Sequence, residues 1–282
     1  APVAKYMLGT VGLQSAMMAF GIAFMCVVCV LSLFLVNPPR GYVPEGAAAP
    51  GAGKVSKSRE CTPTEMMRSA NFWKLWFIYF IGAGAGLMVI GSVAGMAKQS
   101  MGEAAFIAVA IMAVGNAGGR VVAGILSDKI GRSTTLLIML VFQALMMVAC
   151  VPVVGSMDST ALMLVLLATF IGFNYGTNLS LFPSFAKDLW GLKNFGMNYG
   201  ILFTAWGVGG FVMSRLSQML VSTTGSYSSS FVIAAVMLSV GGVLTLTVKA
   251  TADEEAEDVM YSPQLGATMA DGGEKIKKNT KK

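Results

Sequence analysis

Seven runs of apolar residues, each long enough to cross a lipid bilayer, decide what this chain can become. They lie near 11–36, 72–97, 104–126, 134–155, 161–182, 197–222 and 229–248. A hydrocarbon core takes roughly 17–25 helical residues to span. Over such a length only a helix satisfies its own peptide groups without water. The expected class is therefore an all-α membrane protein with seven transmembrane helices. The composition fits no soluble surface: 55% of the residues are hydrophobic and 12% are charged, against about 25% charged in a soluble domain. The pairs Gly82/Gly86, Gly91/Gly95 and Gly115/Gly119 have small-x-x-x-small spacing, which lets helices approach closely and predicts a tight bundle.

The basic residues orient that bundle. Arg40, Lys54, Lys57, Arg59, Arg68 and Lys74, then Lys129 and Arg132, then Lys187 and Lys193, then Lys249 and the lysines of the C-terminal tail fall on one side. The other side holds only Lys5 and Lys98. A Lys/Arg excess marks the cytoplasmic side, so the segments between 37 and 70 and beyond 249 are expected there. The location that follows is integral and multi-pass, in a plasma or inner membrane. The net charge of +6 is a topological signal. Bases spread over separate short loops make no single basic face, which excludes a nucleic-acid partner.

Residues 37–70 read as a linker. "NPPRGYVPEGAAAPGAGK" is rich in Pro, Gly and Ala and has no periodicity. It closes on "TPTE", with Thr62 as N-cap, Pro63 at the first helical position and Glu65 three after the cap. That pattern predicts a capping box and a short helix along the membrane surface. The tail, 250–282, joins an acidic block to a lysine-rich end and reads as disordered. The chain has no histidine, which removes imidazole catalysis, His metal sites and His switches from these residues. Cys26 and Cys29 form C-x-x-C inside an apolar run with no second pair nearby, and read as two small buried residues. No metal or cofactor is expected. Without an embedded Ser/Asp pairing or a nucleotide loop, an enzyme is not expected either.

The exception to this apolar pattern is "NAGGRVVAGILSDKIGR", residues 116–132. Arg120 lies eight residues before Asp128, about 12 Å along a helix at 1.5 Å per residue, hence near the middle of a hydrocarbon core about 30 Å thick. An arginine there costs roughly 2.5–3.5 kcal/mol on insertion scales, and its planar fork suits a carboxylate. The same run ends in a compact cluster. Gly124 permits close helix approach, Asp128 is placed to accept from a neighbouring helix N-terminus, and Lys129 and Arg132 hold the loop inside.

The order from Gly124 to Arg132, G-x-L-S-D-K-x-G-R, resembles the loop motif G-x-L-[AS]-D-[KR]-x-G-R of the major facilitator superfamily of secondary transporters. In that superfamily the motif joins the second and third helices of each six-helix half. The resemblance implies that Gly124, Asp128, Lys129, Gly131 and Arg132 form a conformational latch that does not touch substrate. It also implies an architecture. Residues 1–36 would be the sixth helix of an N-terminal half not otherwise present, 37–70 the central cytoplasmic linker with its short interfacial helix, 71–249 the six-helix C-terminal half, and 250–282 a cytoplasmic tail. The chain begins at Ala1 and reads as the later part of a longer protein, whose remaining half would be a partner of these helices.

Further stretches resemble the oxalate/formate antiporter branch: "NPPRGYVP", "FWKLWFIYFIGAGAGLMVIGSVAGMAKQ" and "FPSFAKDLWGLKNFGMNYGILFTAWG". By that resemblance Arg120 is a substrate-binding residue and Tyr175 an aromatic substrate contact. An oxalate carrier of that branch also uses a lysine in its eleventh helix, where this chain has Trp206. Arg120 alone is better matched to a monocarboxylate than to oxalate. Asn116 stands one turn before Arg120, where monocarboxylate transporters carry a proton-coupling aspartate, a role an amide cannot fill. From the residues themselves, Tyr199, Phe203 and Trp206 at i, i+4, i+7 share one helical face, either an aromatic wall or a packing surface. Asn174 and Asn178 are i, i+4, and amides facing lipid would be costly, so both are expected inside. Arg215 is near the outer end of its run and can snorkel.

The expected function is secondary transport of small organic anions, formate- or oxalate-like, by alternating access, as exchange or uniport. A proton-coupled monocarboxylate symporter is the alternative. A membrane sensor built on a transporter fold is a further one.

Overall fold

The computed structural model of the chain describes residues 2–36, 60–101, 105–155 and 161–248. Most of the linker, the tail, Glu103 and Asp158 lie outside the described residues. Every regular element among the described residues is a helix: α1 Pro2–Ser32, α2 Pro63–Arg68, α3 Ala70–Met101, α4 Ala105–Ile130, α5 Arg132–Gly155, α6 Ala161–Trp190, α7 Phe195–Thr224 and α8 Ser228–Thr245. The chain divides into two units, residues 1–55 and 56–282.

The first unit is α1. Its helical path is interrupted at Gly12, whose φ of +74° is open to glycine and costly for other residues. Cys26 and Cys29 are exposed on it and unbridged, not buried as their small size led us to expect. With so apolar a helix described by itself, each turn presents side chains outward.

The second unit starts with the expected capping box. The Thr62 side chain accepts from the Glu65 amide, the Glu65 carboxylate accepts from the Thr62 amide at 2.7 Å, and Pro63 opens the helix. Helices α3–α8 then pack chiefly in three pairs, α4 with α6, α3 with α7 and α5 with α8, with α3 and α6 innermost. Among the described residues six helices are long and apolar enough to cross a membrane: Tyr6–Ser32, Ala70–Gly91, Phe106–Ile130, Arg132–Val153, Val165–Trp190 and Ser228–Thr245. The expected seventh span, α7, has the length but is less apolar. It carries Asn198, Thr204, Ser214, Arg215, Ser217 and Gln218, and it turns Asn198 and Ser217 into the bundle, where Ser217 bonds Ser230 of α8 at 3.1 Å.

Backbone-to-backbone approach sets the tightest pair. A Cβ at Gly119 would overlap the Phe173 carbonyl, and one at Gly176 would overlap the Asn116 carbonyl. Gly115 against Thr169 and Gly172 against Met112 continue the seam. Along α3, Gly82 receives the Asn178 side chain, Gly86 the Tyr175 ring, and Gly84 the Gly209 backbone of α7. Gly91 has nothing near it, and the surroundings of Gly95 are outside the described residues. Gly124, expected to be a point of close approach, would bring a Cβ no nearer than 3.4 Å to the Ser180 hydroxyl. The close approach lies deeper in α4.

Adjacent glycines give a test. Gly119→Ala should lower stability by about 1–3 kcal/mol, the usual cost of overpacking, because the obstacle is backbone. Gly118→Ala, which meets nothing within 4 Å, should be neutral or raise stability by up to about 1 kcal/mol through helix propensity. Reversible unfolding in detergent micelles measures both, and equal effects would contradict the packing.

Candidate anion-binding site and charged cluster

Arg120 projects from the middle of α4 into a cleft of about 570 Å³. Leu87 and Ile90 of α3, Met112, Ala113, Asn116, Ala117 and Val121 of α4, and Tyr175 of α6 complete its lining. The walls are largely apolar. The Arg120 Nε donates to the Asn116 carboxamide oxygen at 3.2 Å, one turn below. That bond fixes the plane of the guanidinium and leaves its two terminal nitrogens for another acceptor. Among the described residues no carboxylate pairs with Arg120; the ion pairs are those of Arg132. A cation with a planar fork in an apolar cleft can accept a carboxylate through two parallel hydrogen bonds.

Tyr175 joins this cleft to an aromatic series on α7. Its ring rests where Gly86 has no side chain, and its hydroxyl accepts from the Trp206 indole N–H at 2.8 Å. From Trp206 the rings continue without a gap: Phe203 at 5.1 Å, Tyr199 at a further 5.6 Å and Phe195 at 5.7 Å. The i, i+4, i+7 face is thus an aromatic ladder.

One member was not visible from spacing. Tyr79 of α3 stacks on Phe182 of α6 with centroids 3.9 Å apart and meets Phe203 edge-on at 6.0 Å. Its hydroxyl is buried and makes no hydrogen bond of normal geometry among the described residues. The signal was its place in "WFIYF", the one hydroxyl in an aromatic run.

The expected site residues therefore separate. Asn116, Arg120 and Tyr175 come together in the cleft, and Trp206, Phe203 and Tyr199 extend from Tyr175. Asn178 stands apart. Like Asn174 it is buried, but its amide bonds back to the Asn174 carbonyl at 3.2 Å and its side chain rests on Gly82. It serves the α3–α6 contact. Arg215 is exposed and bonds Gln218 at 3.2 Å.

At the other end of α4, Gly131 takes a φ of +90° and lets α5 begin at Arg132. Its amide returns to the Ser127 carbonyl and its carbonyl accepts from the Thr135 hydroxyl at 2.8 Å. The turn aims the Arg132 guanidinium at three acceptors: Asp128 at 2.6 Å, the Ser127 hydroxyl, and Asp188 of α6 at 3.0 Å. Asp128 was expected to accept from a helix N-terminus; the donor is the Arg132 side chain. Lys129 is exposed. The cluster ties α4, α5 and α6 at one end and lies far from the Arg120 cleft.

The sequence profile of the Major Facilitator Superfamily matches residues 1–212 and, in an overlapping match, 101–262. The chain belongs to that superfamily. It is similar to the uncharacterized MFS-type transporter YhjX of Escherichia coli, 29% identical over 211 residues, 72% of this chain and 48% of the relative. It is also similar to the oxalate:formate antiporter of Oxalobacter formigenes, 28% identical over 241 residues, 83% of this chain and 54% of the relative. The MFS transporter asaE of Aspergillus flavus is 28% identical over 133 residues, 46% of this chain and 29% of the relative. The chain spans about half the length of the first two.

The cluster predicts unequal costs. Asp188 is the less exposed partner, 34% against 68% for Asp128, and its bond to Arg132 joins residues 56 apart in the chain, where that of Asp128 joins residues four apart. Asp188→Ala should cost about 1–3 kcal/mol, as for a partly buried charged hydrogen bond. Asp128→Ala should cost about 0.2–1 kcal/mol, the range of exposed pairs. Unfolding of each variant in micelles measures the difference, and a reversed order would contradict it.

Proposed function

We propose that the protein carries small organic anions across a membrane by alternating access, with Arg120 as the anion's anchor. One observation supports this most: an arginine fork, oriented by Asn116 and unmatched by a carboxylate among the described residues, faces an apolar cleft in the middle of α4. A fixed charge there is costly, and an anionic substrate offsets that cost during the crossing. The similarity to a protein named as an oxalate:formate antiporter points to the same class of cargo.

In this reading Tyr175, Trp206, Phe203 and Tyr199 form the wall that packs the substrate's apolar part. The Trp206 indole is committed to Tyr175 and supplies no second cation, which favours a monoanion such as formate or lactate over oxalate. Asn116 holds Arg120 and takes up no proton, which favours exchange or uniport. The Arg132 cluster serves as the latch at the cytoplasmic face. The central linker and tail lie on that side, and the rest of the substrate path comes from the remaining helices of the whole protein.

The test is counterflow of radiolabelled carboxylates into proteoliposomes containing the whole protein. Monocarboxylate should exchange for monocarboxylate with no imposed pH gradient. Arg120→Lys keeps the charge but not the fork and should weaken binding by about 1.5–3 kcal/mol. Trp206→Lys should shift preference toward oxalate. Asp128→Ala should slow exchange while leaving affinity within a few-fold. Uptake that strictly requires a proton gradient would sink the exchange reading, and near-native uptake by Arg120→Ala would remove Arg120 from the site.

A further inference from the structure

The last described residues of the linker are bound to the turn between α6 and α7. Gly191 closes α6 with a φ of +78°, and the two amides after it, Leu192 and Lys193, point the same way. Successive amides beside a left-handed glycine form a concavity for an anion, and the Glu60 carboxylate fills it. It accepts from Lys193 at 2.7 Å and from Leu192 at 3.4 Å. Gly191 is favoured by its φ, and a Cβ there would displace that carboxylate, whose oxygen lies 2.6 Å from the Cβ position. Cys61 continues the pairing: its amide donates to the Trp190 carbonyl at 3.1 Å, and its carbonyl accepts from the Asn194 and Asn198 side chains, each at 3.0 Å.

Asn194 makes the point most clearly. It is the N-cap of α7, yet its side chain caps nothing. The usual role of an N-cap asparagine is to accept from its own helix; here the amide group is turned to the linker instead. Asn198, on the first turn of α7, is fully buried and reaches the same carbonyl. The start of α7 is thus held from outside its own helix, by residues that lead directly through the Thr62 cap into α2 and α3. Phe195, the first ring of the ladder, sits on that turn and Tyr199 directly follows it.

The geometry points to Glu60 as a positioning residue: by clasping the α6–α7 turn it sets where α7, and with it the aromatic ladder, stands relative to the Arg120 cleft. This rests on the carrier reading for its effect on substrate; the clasp itself does not. Glu60 touches no part of the cleft and acts only through the turn.

Two measurements on the whole protein test it. Amide hydrogen exchange in micelles reads the clasp without any substrate. Glu60→Ala should speed exchange across 192–203 at least ten-fold and leave α5 and α8 unchanged. Counterflow of formate in proteoliposomes reads the positioning. Glu60→Ala should raise KM at least five-fold with kcat within two-fold, and Glu60→Gln, which keeps an acceptor for Lys193, should recover most of it. Asn194→Ala attacks the clasp from the other side, without loss of a helix cap, and should reproduce the KM effect; it decides the matter if Glu60→Ala does not fold. An unchanged exchange pattern overturns the clasp. A faster pattern with unchanged KM, or a fall in kcat alone, overturns the positioning role. A wild-type protein that exchanges no carboxylate would overturn the carrier reading, while the amide pattern still decides the clasp.

Discussion

Arg120 stands beside Tyr175 because α4 and α6 approach to the thickness of their backbones. The glycines that permit this are the immediate neighbours of the site. Gly119 precedes Arg120 and lies on the Phe173 carbonyl; Gly176 follows Tyr175 and lies on the Asn116 carbonyl. In lipid no hydrophobic force draws helices together, so close packing and interhelical polar contacts do the work. A methyl group at either glycine would push the charged and the aromatic side chains apart along with the helices that carry them. The same approach that stabilises the pair therefore fixes the geometry of the cleft.

Several buried polar groups of the bundle differ in kind from Arg120. Asn174, Asn178, Thr177 and Thr245 are buried and return their donors to carbonyls of their own helices. Each satisfies a donor within its own helix and fills space between helices. Arg120 shares only one bond, with Asn116, and the rest of its fork faces the cleft. Arg120 is exposed, and its two terminal nitrogens meet no acceptor among the described residues. That contrast distinguishes the cleft from the other polar positions of the bundle.

Much of this was legible in the sequence for local reasons. The period and length of the apolar runs give the helices, and their ends agree to within a few residues at α3, α5, α7 and α8. The capping box at Thr62 and the turn after Ile130 are short-range patterns with one favourable geometry each. What escaped was long-range. Spacing gives Gly115, Gly119 and Gly124 equal standing, and only the crossing with α6 shows that Gly119 is the tight point and Gly124 is not. Asn178 carries the same pattern whether it faces a cleft or a glycine. Tyr79 joins the ladder through Phe182 and Phe203, more than a hundred positions along the chain. Glu60 reads as one more linker charge until the α6–α7 turn is folded beneath it.

These contacts place the cleft and ladder at a seam. The pair α4–α6 is locked by Gly119 and Gly176, and the pair α3–α7 by Gly84 and Gly209, each through backbone. Between the pairs, α7 meets α6 only lightly and α3 meets α6 more closely, through side chains: Asn178 on Gly82, the Tyr175 ring on Gly86, Tyr79 stacked on Phe182 and, from α7, the Trp206 indole on the Tyr175 hydroxyl. Tightly packed pairs move as units, because interiors at this density do not deform continuously. Side-chain links can exchange partners at far smaller cost than a backbone seam. Tyr175 and Trp206 lie at that junction, one side chain away from Arg120.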